Sequence, residues 1–259
     1  MYKNEQRCGR SKRPPLLLIL FWCAAGIITL FRAGYDITLY FYGGTIAVHG
    51  IPPYNYLIHL PAGYSDFGSP HPLIIFLHGA GEIKTDFATL NERDAAHYAA
   101  GRVTKEDFPF IMISPIAPDH GWNEDILKNW IKKMIRSGGS RLKIDPNRVY
   151  LTGFSMGGGG TFNTAESSPD LFAAIASVAG YGDKSKADRL ISLPIRAYHG
   201  NNDETVSYQR SVEMIDAVKK AGNSDAELIT IPGGKHDIRP DVYGCPEIYR
   251  WLLQHKRDR

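Results

Sequence analysis

A serine hydroxyl becomes a useful nucleophile only when a base removes its proton and a third group holds that base in place. Ser155, Asp203 and His236 have the residue types for this work. Ser155 is the centre of Gly153-Phe154-Ser155-Met156-Gly157, a G-x-S-x-G run between the strand-like RVYLTGF (148–154) and a segment that reads as a helix. A sharp strand-to-helix turn there would expose Oγ, and glycines at 153 and 157 would keep side chains out of the crowded backbone around it. The same turn aims a helix N-terminus at the charge that develops during reaction. Two rivals compete with this reading. A phosphate-cradling loop needs Gly-Lys-Ser/Thr, but Gly157 to Gly160 lead into Thr161 with no lysine. A structural glycine loop with an idle serine is the other, and only partners elsewhere in the chain argue against it.

Those partners stand where an α/β sheet would present them. Ligands bind beyond the carboxyl ends of the strands of an open sheet, so the residues just after each strand are the informative ones. Asp203 follows PIRAYHG (194–200) in HGNNDETV, and His236 follows AELITIP (226–232) in GGKHD. Glu204 and Asp183 are rival acids. His199, inside its strand, reads as a packing residue, and His120, ahead of the nucleophile, is a weaker base. An oxyanion would rest on the Met156 N–H and on one donor from the loop after PLIIFLHG (72–79), with Ala80 first and Gly79 in reserve. His78 reads as a brace for that loop. Gly79, Glu82 and Trp122 are pocket candidates, and Trp122 reads equally as packing for its helix. Gly158 to Gly160 would let the helix after Ser155 begin close to the sheet.

The elements needed to place these groups follow from the hydrophobic pattern. YDITLYFYGGTIAVHG reads as a hairpin across Gly43-Gly44, and Tyr54 to Leu60 as another strand. PLIIFLHG and FPFIMISP (108–115) are continuous apolar runs, as in strands buried on both faces of a parallel sheet. The runs 148–154, 172–180, 194–200 and 226–232 read as further strands. Trp122 to Arg136 is an amphipathic helix with Ile126, Trp130, Ile131 and Met134 on its inner face, closed by Gly138-Gly139. Helices are also expected after Ser155, over Tyr208 to Ala221 and over Pro246 to His255. The fold class is α/β, a mostly parallel twisted sheet with an antiparallel N-terminal hairpin and helices on both faces. Only thirteen residues separate the strand ending at Gly180 from the one starting at Pro194, which leaves no room for a large lid.

The 259 residues, 43% hydrophobic and 22% charged, suit one sizeable core. The formal charge of +3 misleads, because five of the 30 Lys and Arg and one of the 27 Asp and Glu lie in the first fifteen residues. The remainder, 25 against 26, is near neutral and offers no basic face for nucleic acid. Behind the basic leader, Leu16 to Phe31 are sixteen uncharged, mostly apolar residues, between the length of a signal h-region and that of a spanning helix. Residues 1–33 are therefore expected to be a signal peptide or membrane anchor, with membrane contact only through residues 16–31, and 34–259 a single exported domain, secreted, periplasmic or tethered to the outer face of a membrane. Cys245 would be alone in that domain, and no Cys and His cluster has zinc spacing.

FLHGAGE, RVYLTGFSMGG, SPDLFAAIASVAG, AYHGNNDETV and GGKHD together resemble the poly(3-hydroxybutyrate) depolymerase, feruloyl esterase and prolyl-oligopeptidase-like "predicted peptidase" branch of the α/β-hydrolase superfamily, over residues 52 to 255. The chain order Ser, Asp, His is also that of the superfamily. The resemblance implies Ser155 as nucleophile, Asp203 as acid, His236 as base, and Ala80 and Met156 as oxyanion donors. It implies a serine hydrolase of carboxylic esters; an open site without a large lid suits short-chain, aryl or feruloyl, or polyester-type esters, small or polymeric, and acyl transfer through the triad needs no metal or organic cofactor. The chain departs from the branch at Gly159, where an aromatic residue is frequent, and at KHDIRP, where GHDSW is frequent. A peptidase or acyltransferase with the same triad, and a silent hydrolase fold that only binds, are the alternatives.

Overall fold

The computed structural model describes residues 27–32, 35–42, 45–49, 53–119, 121–138 and 142–258. Ten strands form one sheet among them: β1 (Ile27–Arg32), β2 (Tyr35–Tyr42), β3 (Thr45–His49), β4 (Tyr56–His59), β5 (His71–Leu77), β6 (Ile111–Pro115), β7 (Ile144–Phe154), β8 (Ala174–Val178), β9 (Ile195–Gly200) and β10 (Ala226–Ile231). Their spatial order is β1-β2-β3-β4-β6-β5-β7-β8-β9-β10. Pairing is antiparallel from β1 through β4 to β6 and parallel from β6 onwards. β2 and β3 form the expected hairpin, with Tyr42 opposite Thr45. The end of the apolar run from Leu16 to Phe31 is part of β1, which pairs with β2. Residues 1–26, the turn at Gly43-Gly44 and His120 lie outside the described residues.

Strand geometry divides the core in two, because successive side chains point to opposite faces of a sheet. Leu73, Ile75 and Leu77 of β5, Ile111 and Ile113 of β6, and Val149 and Leu151 of β7 face one side. They pack there with helices α3 (Glu124–Gly138), α4 (Met156–Ser167) and α5 (Tyr208–Lys220). The alternate residues Ile74, Phe76, Met112 and Tyr150 face the other side. There they meet α2 (Ala95–Ala99), α6 (Arg239–Tyr243) and α7 (Pro246–Gln254), while α1 (Phe87–Asn91) packs over β3 and β4. Between Gly180 and Pro194 the chain makes one short 3-10 helix, Lys184–Leu190.

The inner face of α3 differs from the expected one by one position. Ile126 is 48% exposed, and Leu127 is fully buried in its place with Trp130 and Ile131. Residues 127, 130, 131 and 134 follow i, i+3, i+4, i+7, whereas 126 lies about 100° away around the helix. The helix also begins two residues later than Trp122, since the Asn123 side chain accepts from the Ile126 N–H at 3.0 Å and so caps it. Trp122 stays in the loop before it.

Candidate active site

The turn from β7 into α4 forces Ser155 into φ +56°, ψ −115°, a conformation L-residues adopt only when the surroundings impose it. Here the Ser155 N–H donates to the Val178 carbonyl of β8 at 2.8 Å. A Cβ on Gly157 would lie 2.5 Å from the Leu77 carbonyl carbon and 2.7 Å from the His78 oxygen, and one on Gly153 would lie 2.5 Å from the Gly157 carbonyl carbon. Both glycines are therefore demanded by backbone. Gly158 brings α4 against the sheet, with Gly180 Cα 2.8 Å from where its Cβ would be. Gly159 and Gly160 have a different task, for a Cβ on them would lie 3.0 Å from the Tyr181 ring and 2.8 Å from the Trp122 ring.

Ser155 Oγ is 2.9 Å from His236 Nε2, and His236 Nδ1 is 2.7 Å from Asp203 Oδ2. A carboxylate only accepts, so Nδ1 carries the proton and Nε2 is free to take one from the serine. The Asp203 side chain is fully buried, and Oδ1 accepts from the N–H groups of Thr205 and Val206 at 2.8 and 2.9 Å. Burial alone would raise its pKa, but the His236 hydrogen bond and these two backbone donors outweigh it and hold the carboxyl below its ordinary value. Glu204 is exposed, and Asp183 caps the 3-10 helix Lys184–Leu190, so neither rival acid reaches His236. His199 is a packing residue, as its place in β9 suggested, yet its Nε2 also lies 3.1 Å from Asp203 Oδ2 while Nδ1 meets Ser211 Oγ at 2.7 Å.

Met156 heads α4, so its N–H has no acceptor within the helix. The loop after β5 makes a 3-10 turn over Ala80–Glu82. His78 braces it: Nε2 accepts from the Ala117 N–H at 2.9 Å, which leaves Nδ1–H to donate to the Gly79 carbonyl at 2.7 Å. Burial pulls the His78 pKa down and favours this neutral form. The Trp122 Nε1–H donates to the His78 carbonyl at 3.1 Å.

A cleft of about 400 Å³ opens beside Met156, between Trp122 and Tyr181, with Gly159 as floor and Glu124 and Asn163 as polar groups. Of the three pocket candidates only Trp122 lines it. Gly79 is buried at the start of the loop after β5, and Glu82, 3% exposed, is turned inward because Arg93 and Arg239 each donate to its Oε1 at 3.3 Å. Tyr181 and Arg239 are the residues the sequence reading missed. Arg239 carried a signal, since a cation in the first turn of a helix opposes the macrodipole and needs another reason to be there. Among the described residues, no three His, Cys, Asp or Glu side chains converge as metal ligands.

Sheet order and the serine turn together define an α/β-hydrolase fold. Comparison with known proteins agrees. The phospholipase/carboxylesterase family model matches residues 120–244. Probable feruloyl esterase C of Aspergillus niger is 28% identical over 209 residues, 76% of this chain and 73% of that protein, and its counterpart in Aspergillus terreus is 25% identical over 210 residues, 78% and 74%. The crystal structure of a thermostable esterase superposes with a TM-score of 0.68 at 25% identity, covering 90% of this chain and 63% of that one, so this chain spans under two thirds of that structure. The chain belongs to the α/β-hydrolase superfamily.

Proposed function

We propose that the protein is a serine hydrolase of carboxylic esters that works through an acyl-enzyme on Ser155. The observation that carries this reading is the unbroken hydrogen-bond chain from Ser155 through His236 to buried Asp203 at the strained turn. His236 Nε2 takes the Ser155 proton as Oγ attacks the ester carbonyl, and Asp203 stabilises the imidazolium that results. The tetrahedral oxyanion is received by the N–H groups of Met156 and Ala80, in a site where fixed dipoles need no reorganisation. His236 then protonates the leaving alcohol. Water, deprotonated by the same nitrogen, releases the acid and restores Ser155.

The cleft supports aryl or short-chain acyl groups, because the aromatic side chains of Trp122 and Tyr181 line it beside polar Asn123, Glu124 and Asn163, and no large lid is formed by the described residues between Gly180 and Pro194. The likeness to feruloyl esterases points the same way. We assign the basic leader and the apolar run as an export signal or anchor ahead of one catalytic domain, and since Ile27–Arg32 forms β1 of the sheet, the boundary expected at residue 33 moves to before Ile27. No helix among the described residues is long and apolar enough to cross a membrane. N-terminal sequencing of the exported protein tests cleavage. Hydrolysis of p-nitrophenyl acetate by wild type and by Ser155→Ala tests the nucleophile: wild-type activity should vanish with the hydroxyl, and a Ser155→Ala rate equal to wild type refutes it. A panel of short-chain esters, feruloyl esters and peptide amides tests the substrate class.

A further inference from the structure

One guanidinium touches all three loops that carry the proposed machinery. Arg239 opens α6, three residues after His236, and its side chain is 7% exposed. Nε and Nη2 donate to the two oxygens of Asp237, each at 2.8 Å, in a bidentate fork beside His236. Nη1 reaches back to Glu82 Oε1 at 3.3 Å and to the Arg93 carbonyl at 3.4 Å. Glu82 closes the turn that begins at Ala80. The flat face of the guanidinium lies 4.4 Å from the centroid of Phe154, the neighbour of Ser155, and the Phe154 ring is 5.0 Å from that of His236. Glu82 and Asp237 are balanced by Arg239 and Arg93, so no charge in the cluster is left uncompensated.

We infer that Arg239 is a positioning residue that fixes the register of the Ala80 loop, the Phe154-Ser155 turn and the His236 loop, and so sets the oxyanion donor, nucleophile and base relative to one another. The inference rests on the esterase reading above. Its chemical content is the planar fork. A guanidinium can hold Asp237 through two donors, Glu82 through a third and Phe154 through its face at once, whereas an ammonium is a single point charge. A displacement of about 1 Å between reacting groups costs on the order of 100-fold in rate. The loss should fall on the transition state, since Arg239 touches Glu82, Phe154 and Asp237, which adjoin the Ala80 turn, the nucleophile and the base, and none of the cleft walls.

The test uses the full chain with Arg239→Lys and Arg239→Met. Four quantities are measured: thermal melting, the labelling rate of Ser155 by a fluorophosphonate, kcat and KM for p-nitrophenyl acetate, and the Kd of phenylboronic acid, which forms a tetrahedral adduct on serine. Arg239→Lys, which keeps the charge, should fold. Its kcat, labelling rate and boronate affinity should each fall by about 30- to 100-fold with KM changed less than threefold. Arg239→Met should lose at least as much if it folds, and Arg239→Lys decides if it does not. A folded Arg239→Lys whose kcat and boronate affinity stay within threefold of wild type overturns the role of Arg239, as does a fall in melting temperature with unchanged kcat per labelled serine. A wild type that the fluorophosphonate does not label overturns the esterase reading itself.

Discussion

Replacing Asp203 by asparagine separates the charge of the acid from its shape. The carboxylate accepts four hydrogen bonds, from His236 and His199 on Oδ2 and from the N–H groups of Thr205 and Val206 on Oδ1. Asparagine has one oxygen and one amide nitrogen, so it has two seatings. With the nitrogen toward the backbone, two buried N–H donors face another donor, at about 1–3 kcal/mol each. With the nitrogen toward the imidazoles, the ring protons can move and the backbone protons cannot. His199 then accepts at Nε2, at the cost of its hydrogen bond to the Val206 carbonyl at 2.9 Å, and its Nδ1–H donates to Ser211 Oγ, which already points to the Gly180 carbonyl; one lost donor is set against two opposed ones. The second seating wins. His236 is then protonated on Nε2 and cannot take the Ser155 proton. The wrong tautomer costs about 10⁴ in kcat, or about 5.4 kcal/mol of barrier, while stability falls only by the roughly 1–3 kcal/mol of the Val206 carbonyl left without its donor. Steady-state hydrolysis of p-nitrophenyl acetate and a melting curve on the same preparation measure both. A folded Asp203→Asn within tenfold of wild-type kcat would show that Asp203 does not set the tautomer of His236.

Three further outcomes follow from the same geometry. Gly157→Ala puts a methyl against the Leu77 and His78 backbone, which has no room to yield, so a loss above about 4 kcal/mol or an insoluble product is expected; melting within a few degrees of wild type would show the turn to be looser than described. Tyr181→Ala removes one wall of the cleft, and the ratio of kcat/KM for an aryl ester over an acetyl ester should fall about 2- to 10-fold, in line with the 0.5–1.5 kcal/mol of an aromatic pair; an unchanged ratio places the acyl group elsewhere. Burial lowers the pKa values of His78 and His199, so the folded state favours their neutral forms. The stability they supply is complete above the unfolded value of about 6.5 and is lost as pH falls toward the lower folded values, by up to about 1.4 kcal/mol per pH unit for each group. Asp203, held below its ordinary value, adds a later loss below about pH 4. Urea unfolding between pH 8 and pH 3.5 should show both phases, and a flat profile from pH 7 to pH 5 contradicts the first.

What could be seen in the chain beforehand was local. Gly153, Ser155 and Gly157 are adjacent, and their steric demand is met by the residues on either side. Asp203 and His236 could be placed because each follows an apolar strand, and strand ends in such a sheet converge by rule rather than by accident. Ile126 went astray for a related reason: its spacing to Trp130 is helical, but so is that of Leu127, and only the position of the sheet decides between neighbouring stripes. Glu82 was misplaced because a carboxylate after a strand end looks like a pocket group until its cations are known, and those come from Arg93 on one side and Arg239 on the other. Such partners carry no common sequence pattern. Arg239 itself sits in KHDIRP, where the chain leaves the GHDSW pattern of the branch it resembles, and its three contacts come from three separate loops. A departure of this kind reads as uncertainty when only the sequence is known. In the folded chain it supplies a side chain that the Ala80 loop, the serine turn and the histidine loop all touch, which makes Arg239→Lys an informative single exchange.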